Sequence, residues 1–114
     1  MNLKRDLDFM TRAVELARNA QQENEVPVGA VIVLDNAVIG RGYNSVINTN
    51  DPTAHAEIIA IREAAKTTGN YRLSGCEIFV TLEPCLMCYT AIVHARIKRL
   101  VFATSDPKTG TFST

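Results

Sequence analysis

The sequence predicts an α/β fold, a mixed central sheet with four readable strands covered by helices. Three observations lead there. Helical-period and strand-like segments follow one another in the order α-β-β-α-β-α-β. The first two strand segments are separated by Asp35-Asn36, which marks a hairpin and an antiparallel pair. The last two are joined by a helical segment, which marks a parallel pair with a right-handed crossover.

Leu3, Leu7, Met10, Val14 and Ala17 recur at helical spacing, so a first amphipathic helix is expected from about Leu3 to Ala20. "QQENE" is a polar loop. "VGAVIVLD" and "AVIGRGYN" are apolar and rich in β-branched residues, as strands of a hairpin should be. "SVINTNDPT" is a loop whose Asp51-Pro52-Thr53 supplies an N-cap for a helix from about Ala54 to Lys66, stopped by Gly69. "EIFVTL" is a short strand. Pro84 suits the first turn of the next helix, where a missing N–H costs nothing, and that helix runs to about Ala95. "RLVFAT" is the last strand, and "SDPKTGTFST" reads as loop or tail.

A chain of 114 residues is expected to form one domain, residues 1–114, with one core. Twelve basic and twelve acidic side chains cancel, so bulk charge points to neither a polyanion nor a membrane surface. A local basic group, Arg96, Lys98, Arg99 and Lys108, is opposed by Asp106 alone. Lys4, Arg5, Asp6 and Asp8 interrupt the apolar region that a secretory leader needs. No apolar run approaches a membrane span in length. Three cysteines, an odd number with two in C-x-x-C spacing, argue against a secreted disulfide scaffold, and the cytoplasm is the expected location.

Two short stretches carry chemistry. Cys85 and Cys88, three apart, share one face at the start of a helix, where the positive dipole end favours thiolates. A redox dithiol or two core cysteines would give the same spacing. His55 begins the other central helix, and Glu57 follows two residues later. Alone, each is more often structural or solvated. Together, a histidine and two cysteines at two helix N-termini can converge beyond the strand ends of an α/β sheet. A fourth ligand is not evident. At roughly 100° per residue, His94 points to about the opposite side of its helix from Cys85. Cys76 precedes the strand leading to Pro84, so roughly 20 Å of extended chain separates it from Cys85. Three ligands with an open position is the catalytic zinc arrangement. Glu57 is then placed to carry a proton from the attacking water to a ring nitrogen and on to a departing amine, as hydrolysis at an unsaturated amine-bearing carbon requires.

His55-Ala56-Glu57 with Pro84-Cys85-Leu86-Met87-Cys88 resembles the H-x-E…P-C-x-x-C signature of the zinc-dependent cytidine and nucleobase deaminases. Within that superfamily the chain is most similar to the bacterial tRNA adenosine deaminases, over nearly its whole length. The supporting stretches run from Glu25 to Val31, Asp51 to Glu57, Asn70 to Leu73 and Thr81 to Cys85, with Asp106 and Lys108-Thr109-Gly110 continuing the match. The resemblance implies a three-layer cytidine-deaminase-like fold and one Zn2+ per chain held by His55, Cys85 and Cys88. It implies Glu57 as the proton shuttle, Asn44 bonding a flipped-out base, Val28 packing against that base and the Ala56 backbone contacting its edge. Asp106 would lie near the ribose. The implied activity is conversion of adenosine to inosine at the wobble position of a tRNA anticodon stem-loop, by a cytosolic homodimer.

In that family a last strand and a C-terminal helix follow the "KTG" region, and they are expected to be missing here, since the sequence stops at Thr114. Two rival functions share the residues: a guanine deaminase-like or other nucleobase or nucleotide deaminase, and a zinc-bearing RNA-binding module without turnover. An engineered enzyme of this kind would act on single-stranded DNA.

Overall fold

Strands of β-branched residues form the centre. The computed structural model describes residues 2–113. Its elements are α1 (Leu3–Gln22), β1 (Gly29–Leu34), β2 (Ala37–Tyr43), α2 (Val46–Thr49), α3 (Ala56–Thr68), β3 (Glu77–Leu82), α4 (Leu86–His94) and β4 (Arg99–Thr104). The sheet order is β2-β1-β3-β4. β1 pairs antiparallel with β2 and with β3, while β3 pairs parallel with β4 through the crossover helix α4. Asp35 and Asn36 both have positive φ, at 50° and 63°, the conformation that lets a two-residue turn follow the strand twist.

The sheet has two covered faces. Phe9 of α1 packs with Val31, Val33 and Phe79 on one. Ala56, Ala60 and Ala64 of α3 and Ile92 of α4 pack with Ala30, Ile32, Ile78 and Val80 on the other. Small residues bring α3 close to the sheet: a Cβ on Gly42 would lie 2.2 Å from the Ala56 carbonyl oxygen, and one on Gly40 2.3 Å from that of Ala60. Gly69, at φ 67°, ends α3 in the left-handed conformation.

Three expectations need correction. The stripe expected to face the core from α1 is rotated: Leu3 and Leu7 are exposed, and the buried line is Asp6, Phe9, Ala13, Ala17 and Ala20. The small side chains of Ala13 and Ala17 win that face because α1 lies directly on Gly29, whose Cβ would stand 2.0 Å from the Ala13 oxygen. Asp6 is buried because it is paired: Arg99 holds it at 2.6 Å and holds Glu77 at 2.8 Å, while Arg5 reaches Glu77 at 2.6 Å. The loop 45–53 contains the four-residue helix α2. The two central helices also start later than expected. His55 and Cys85 are their N-caps, so Thr53 and Pro84 lie outside the helices.

Candidate metal centre and cavity

His55 and Cys85 both cap their helices in extended conformations, and neither spends its side chain on a cap hydrogen bond. The turn before His55 is fixed by Asp51, whose Oδ1 accepts the Thr53 N–H at 2.8 Å and the Thr53 hydroxyl at 2.7 Å. His55 Nδ1 therefore lies 3.7 Å from Cys85 Sγ and 3.4 Å from Cys88 Sγ. A tetrahedral zinc with ordinary Zn–N and Zn–S bonds sets nitrogen and sulfur about 3.6 Å apart. The donor set fits. Its three ligand atoms lie within 4.8 Å of one another, and no further His, Cys, Asp or Glu joins the group among the described residues. Cys76 and His94 stand outside it, as expected.

Glu57, in the first turn of α3, is 4% exposed. Burial raises its carboxyl above the ordinary range, offset in part by its own backbone N–H and by the Cys88 thiol. Cys88, expected to favour its thiolate at a helix N-terminus, is also fully buried. Burial pushes its thiol far up, and Glu57 and Cys85 add to that. A thiolate at Cys88 thus calls for a cation beside it.

His55, Glu57 and Cys85 floor a cavity of about 370 Å³, the size of a small-molecule site. Val28, Asn44, Val46 and Ile47 form one wall, and Leu82, Glu83, Asp106 and Thr109 the other, with His55, Ala56, Glu57 and Cys85 between them. All four residues expected to meet a substrate, Val28, Asn44, Ala56 and Asp106, line it. Asn44 is 8% exposed, and no described residue hydrogen-bonds its side-chain amide. Asp106 is more committed. Its carboxylate accepts the Lys108 and Thr109 N–H groups and the Thr109 hydroxyl, which hold its pKa down.

The basic group near the end of the sequence divides. Arg99 lies with Asp6 and Glu77 at the opposite end of the sheet from the cavity, so it is not available there. Glu25 and Glu83 are buried cavity residues whose importance sequence reasoning missed. Both fall in the quoted stretches before Val26-Pro27 and Pro84-Cys85, but nothing local announces what they bond.

Residues 3–104 match the family model described as the cytidine and deoxycytidylate deaminase zinc-binding region. A tRNA-specific adenosine deaminase of Buchnera aphidicola is 51% identical over 105 residues, covering 92% of this chain and 70% of that protein. A tRNA:A34 deaminase structure, from work on A-to-I editing at the wobble position of transfer RNA, superposes with a TM-score of 0.92. It is 49% identical, over 95% of this chain and 78% of that one. A Bacillus subtilis guanine deaminase structure gives a TM-score of 0.85 at 45% identity, over 92% and 66% of the two chains. The chain spans 60% to 70% of the length of the bacterial tRNA-specific adenosine deaminases it matches.

Proposed function

The chain belongs to the cytidine and deoxycytidylate deaminase family, and on that premise we propose that it hydrolyses adenosine to inosine at the wobble position of a tRNA anticodon. The observation that carries the proposal is the convergence of His55, Cys85 and buried Glu57 on the floor of one small cavity, with Cys88 completing the metal group. The curated bacterial relatives, tRNA-specific adenosine deaminases at 42% to 57% identity, support RNA as the substrate.

His55, Cys85 and Cys88 hold the zinc, which when bound supplies the Lewis acidity that makes water nucleophilic near neutral pH. Glu57 moves the protons. Its carboxylate takes one proton from the attacking water and leaves it on the purine ring nitrogen, then takes the second from the new hydroxyl and gives it to the leaving amine, so that water and adenosine become inosine and ammonia. Asn44 donates and accepts at the base, Val28 packs against its ring, and the Ala56 backbone meets its edge. Asp106 lies towards the ribose and acts through the turn it stabilises. A single-stranded anticodon loop makes extruding the base cheap, at a few kcal/mol. Exposed Leu86, Met87 and Val93 on α4 support a homodimer, which sedimentation velocity would detect. Among the described residues no helix is long and apolar enough to cross a membrane.

The second reading is deamination of a free base, favoured by the likeness to the guanine deaminase structure. One experiment separates them. Zinc content is measured beside turnover of an anticodon stem-loop bearing a wobble adenosine, the same loop as DNA, free guanine and free cytosine. One zinc per chain with inosine formed in the RNA is expected. Xanthine from guanine with an untouched RNA would transfer the assignment, and zinc without any turnover would leave a binding module.

A further inference from the structure

Four carboxylates line the cavity, and none joins the metal group or an ion pair among the described residues; beyond Glu57 and Asp106 these are Glu25 and Glu83. Glu25 is 5% exposed and Glu83 3%. A buried carboxylate is costly unless its oxygens are hydrogen-bonded, and here backbone N–H groups provide most of those bonds. Glu25 Oε1 accepts from Ile47 N at 3.1 Å and Oε2 from Asn48 N at 2.7 Å, which seizes α2. Glu83 Oε1 accepts from Asp106 N at 2.9 Å and from the Ser113 hydroxyl. Its Oε2 accepts from Phe112 N at 2.6 Å and Ser113 N at 2.9 Å. Both ends of the segment 106–113 are thus gathered onto one side chain. Gly110 permits it, since a Cβ there would lie 2.4 Å from Glu83 Cδ.

The two captured segments are the two walls of the cavity: Ile47 comes from α2, and Asp106 and Thr109 from the gathered segment. Neither wall can drift without stranding a buried charge. We infer that Glu25 and Glu83 are positioning residues that clamp opposite walls of the cavity and so set the fit of the substrate, while taking no part in proton transfer. The inference rests on the reading above only in taking the cavity as the substrate site. It explains why three glutamates line one cavity and only Glu57 is left for chemistry.

Glutamine tests it closely. With donors facing both oxygens, either orientation of the amide sets an N–H against an N–H. Glu25→Gln and Glu83→Gln are made in the full zinc-loaded chain and followed by amide hydrogen exchange. Losing bonds to a charged acceptor should speed local exchange at least about tenfold. The pattern should cross over: Asp106, Phe112 and Ser113 in Glu83→Gln, Ile47 and Asn48 in Glu25→Gln, with zinc content unchanged. Gly110→Ala, pressing the carboxylate from the other side, should reproduce the Glu83→Gln pattern. On whichever substrate the wild type turns over, KM should rise about tenfold with kcat within about twofold. Unchanged exchange, or exchange raised equally in β1 and β3, overturns the clamp. A collapse of kcat at constant KM overturns the positioning role in favour of a catalytic one. If the wild type turns over no substrate, the deaminase reading fails while the crossed exchange pattern still decides the clamp.

Discussion

Gly42 ties the metal centre to the sheet, and Gly42→Ala measures how rigidly. An alanine Cβ there stands 2.2 Å from the Ala56 carbonyl oxygen and 2.8 Å from the Ala60 nitrogen. Carbon and a carbonyl oxygen settle at about 3.3 Å, so the first turn of α3 must retreat by about 1 Å. Overpacking of this kind costs roughly 1–3 kcal/mol, which the fold can survive. The metal centre is less tolerant. His55 immediately precedes Ala56, and coordination distances hold to within about 0.2 Å. A misplacement of about 1 Å also costs on the order of a hundredfold in rate. Gly42→Ala is therefore expected to remain folded, to lose at least about tenfold in zinc affinity and to lose about a hundredfold in kcat/KM. Chelator competition gives the affinity and thermal unfolding gives the stability. Gly29→Ala is the control: its Cβ would strike Ala13 and Ala17 of α1 on the other face, at 2.0 and 2.6 Å, costing stability while leaving zinc affinity within about twofold. Wild-type zinc affinity in Gly42→Ala would refute the rigid coupling. Equal loss of zinc in both variants would reduce the effect to general destabilisation.

Three other perturbations test separate parts of the molecule. Glu57→Gln should keep one zinc per chain and lose at least about 10²-fold in turnover, measured by single-turnover kinetics; loss of zinc instead would make Glu57 structural. Cys88→Ser should release zinc and lower the melting temperature, and chelation of the wild type should do the same, because metal binding is linked to folding; unchanged stoichiometry by mass spectrometry would remove Cys88 from the ligand set. Arg99→Ala should flatten the acid limb of stability. Hydrogen bonding to Arg99 holds Asp6, and that to Arg5 and then Arg99 holds Glu77, below the ordinary values of 3.8 and 4.5. Such depressed carboxyls contribute stability that is full above 4.5 and lost as pH falls through the lower folded values. The variant and wild type should thus differ at pH 7 and converge in strong acid, and a constant difference down to pH 2 in urea titrations would count against the linkage.

Much of this architecture was legible in the sequence because local signals carried it. The Asp35-Asn36 turn, the Gly69 stop and the β-branched strands act within a few residues, and each element they mark is present. The metal group was legible for the same reason: His55 and Glu57 share one helix start, and Cys85 and Cys88 another. What depends on distant partners was not. The α1 stripe was misassigned because apolar spacing favoured Leu3 and Leu7, while the contact with Gly29 and the pairing of Asp6 with Arg99 decide which face is buried. The depth of Cys88 was not legible, because helix-end electrostatics are visible in a sequence and burial is not. Glu25 and Glu83 bond residues more than twenty positions away, beyond any local pattern.

The Asp6–Arg99 pair joins groups 93 residues apart. In a chain emerging from the ribosome, Arg5 and Asp6 are made well before β4 and wait for it. Everything the metal centre needs, from His55 to Cys88, is synthesised before Arg99 appears. The sheet order keeps early and late strands apart, with β2 and β1 forming one side and β3 and β4 the other. The β1–β2 hairpin can thus form locally, whereas the ion pair closes a long loop that waits for the last of the four strands. The first turn of α1 is thus locked in place only when β4 arrives.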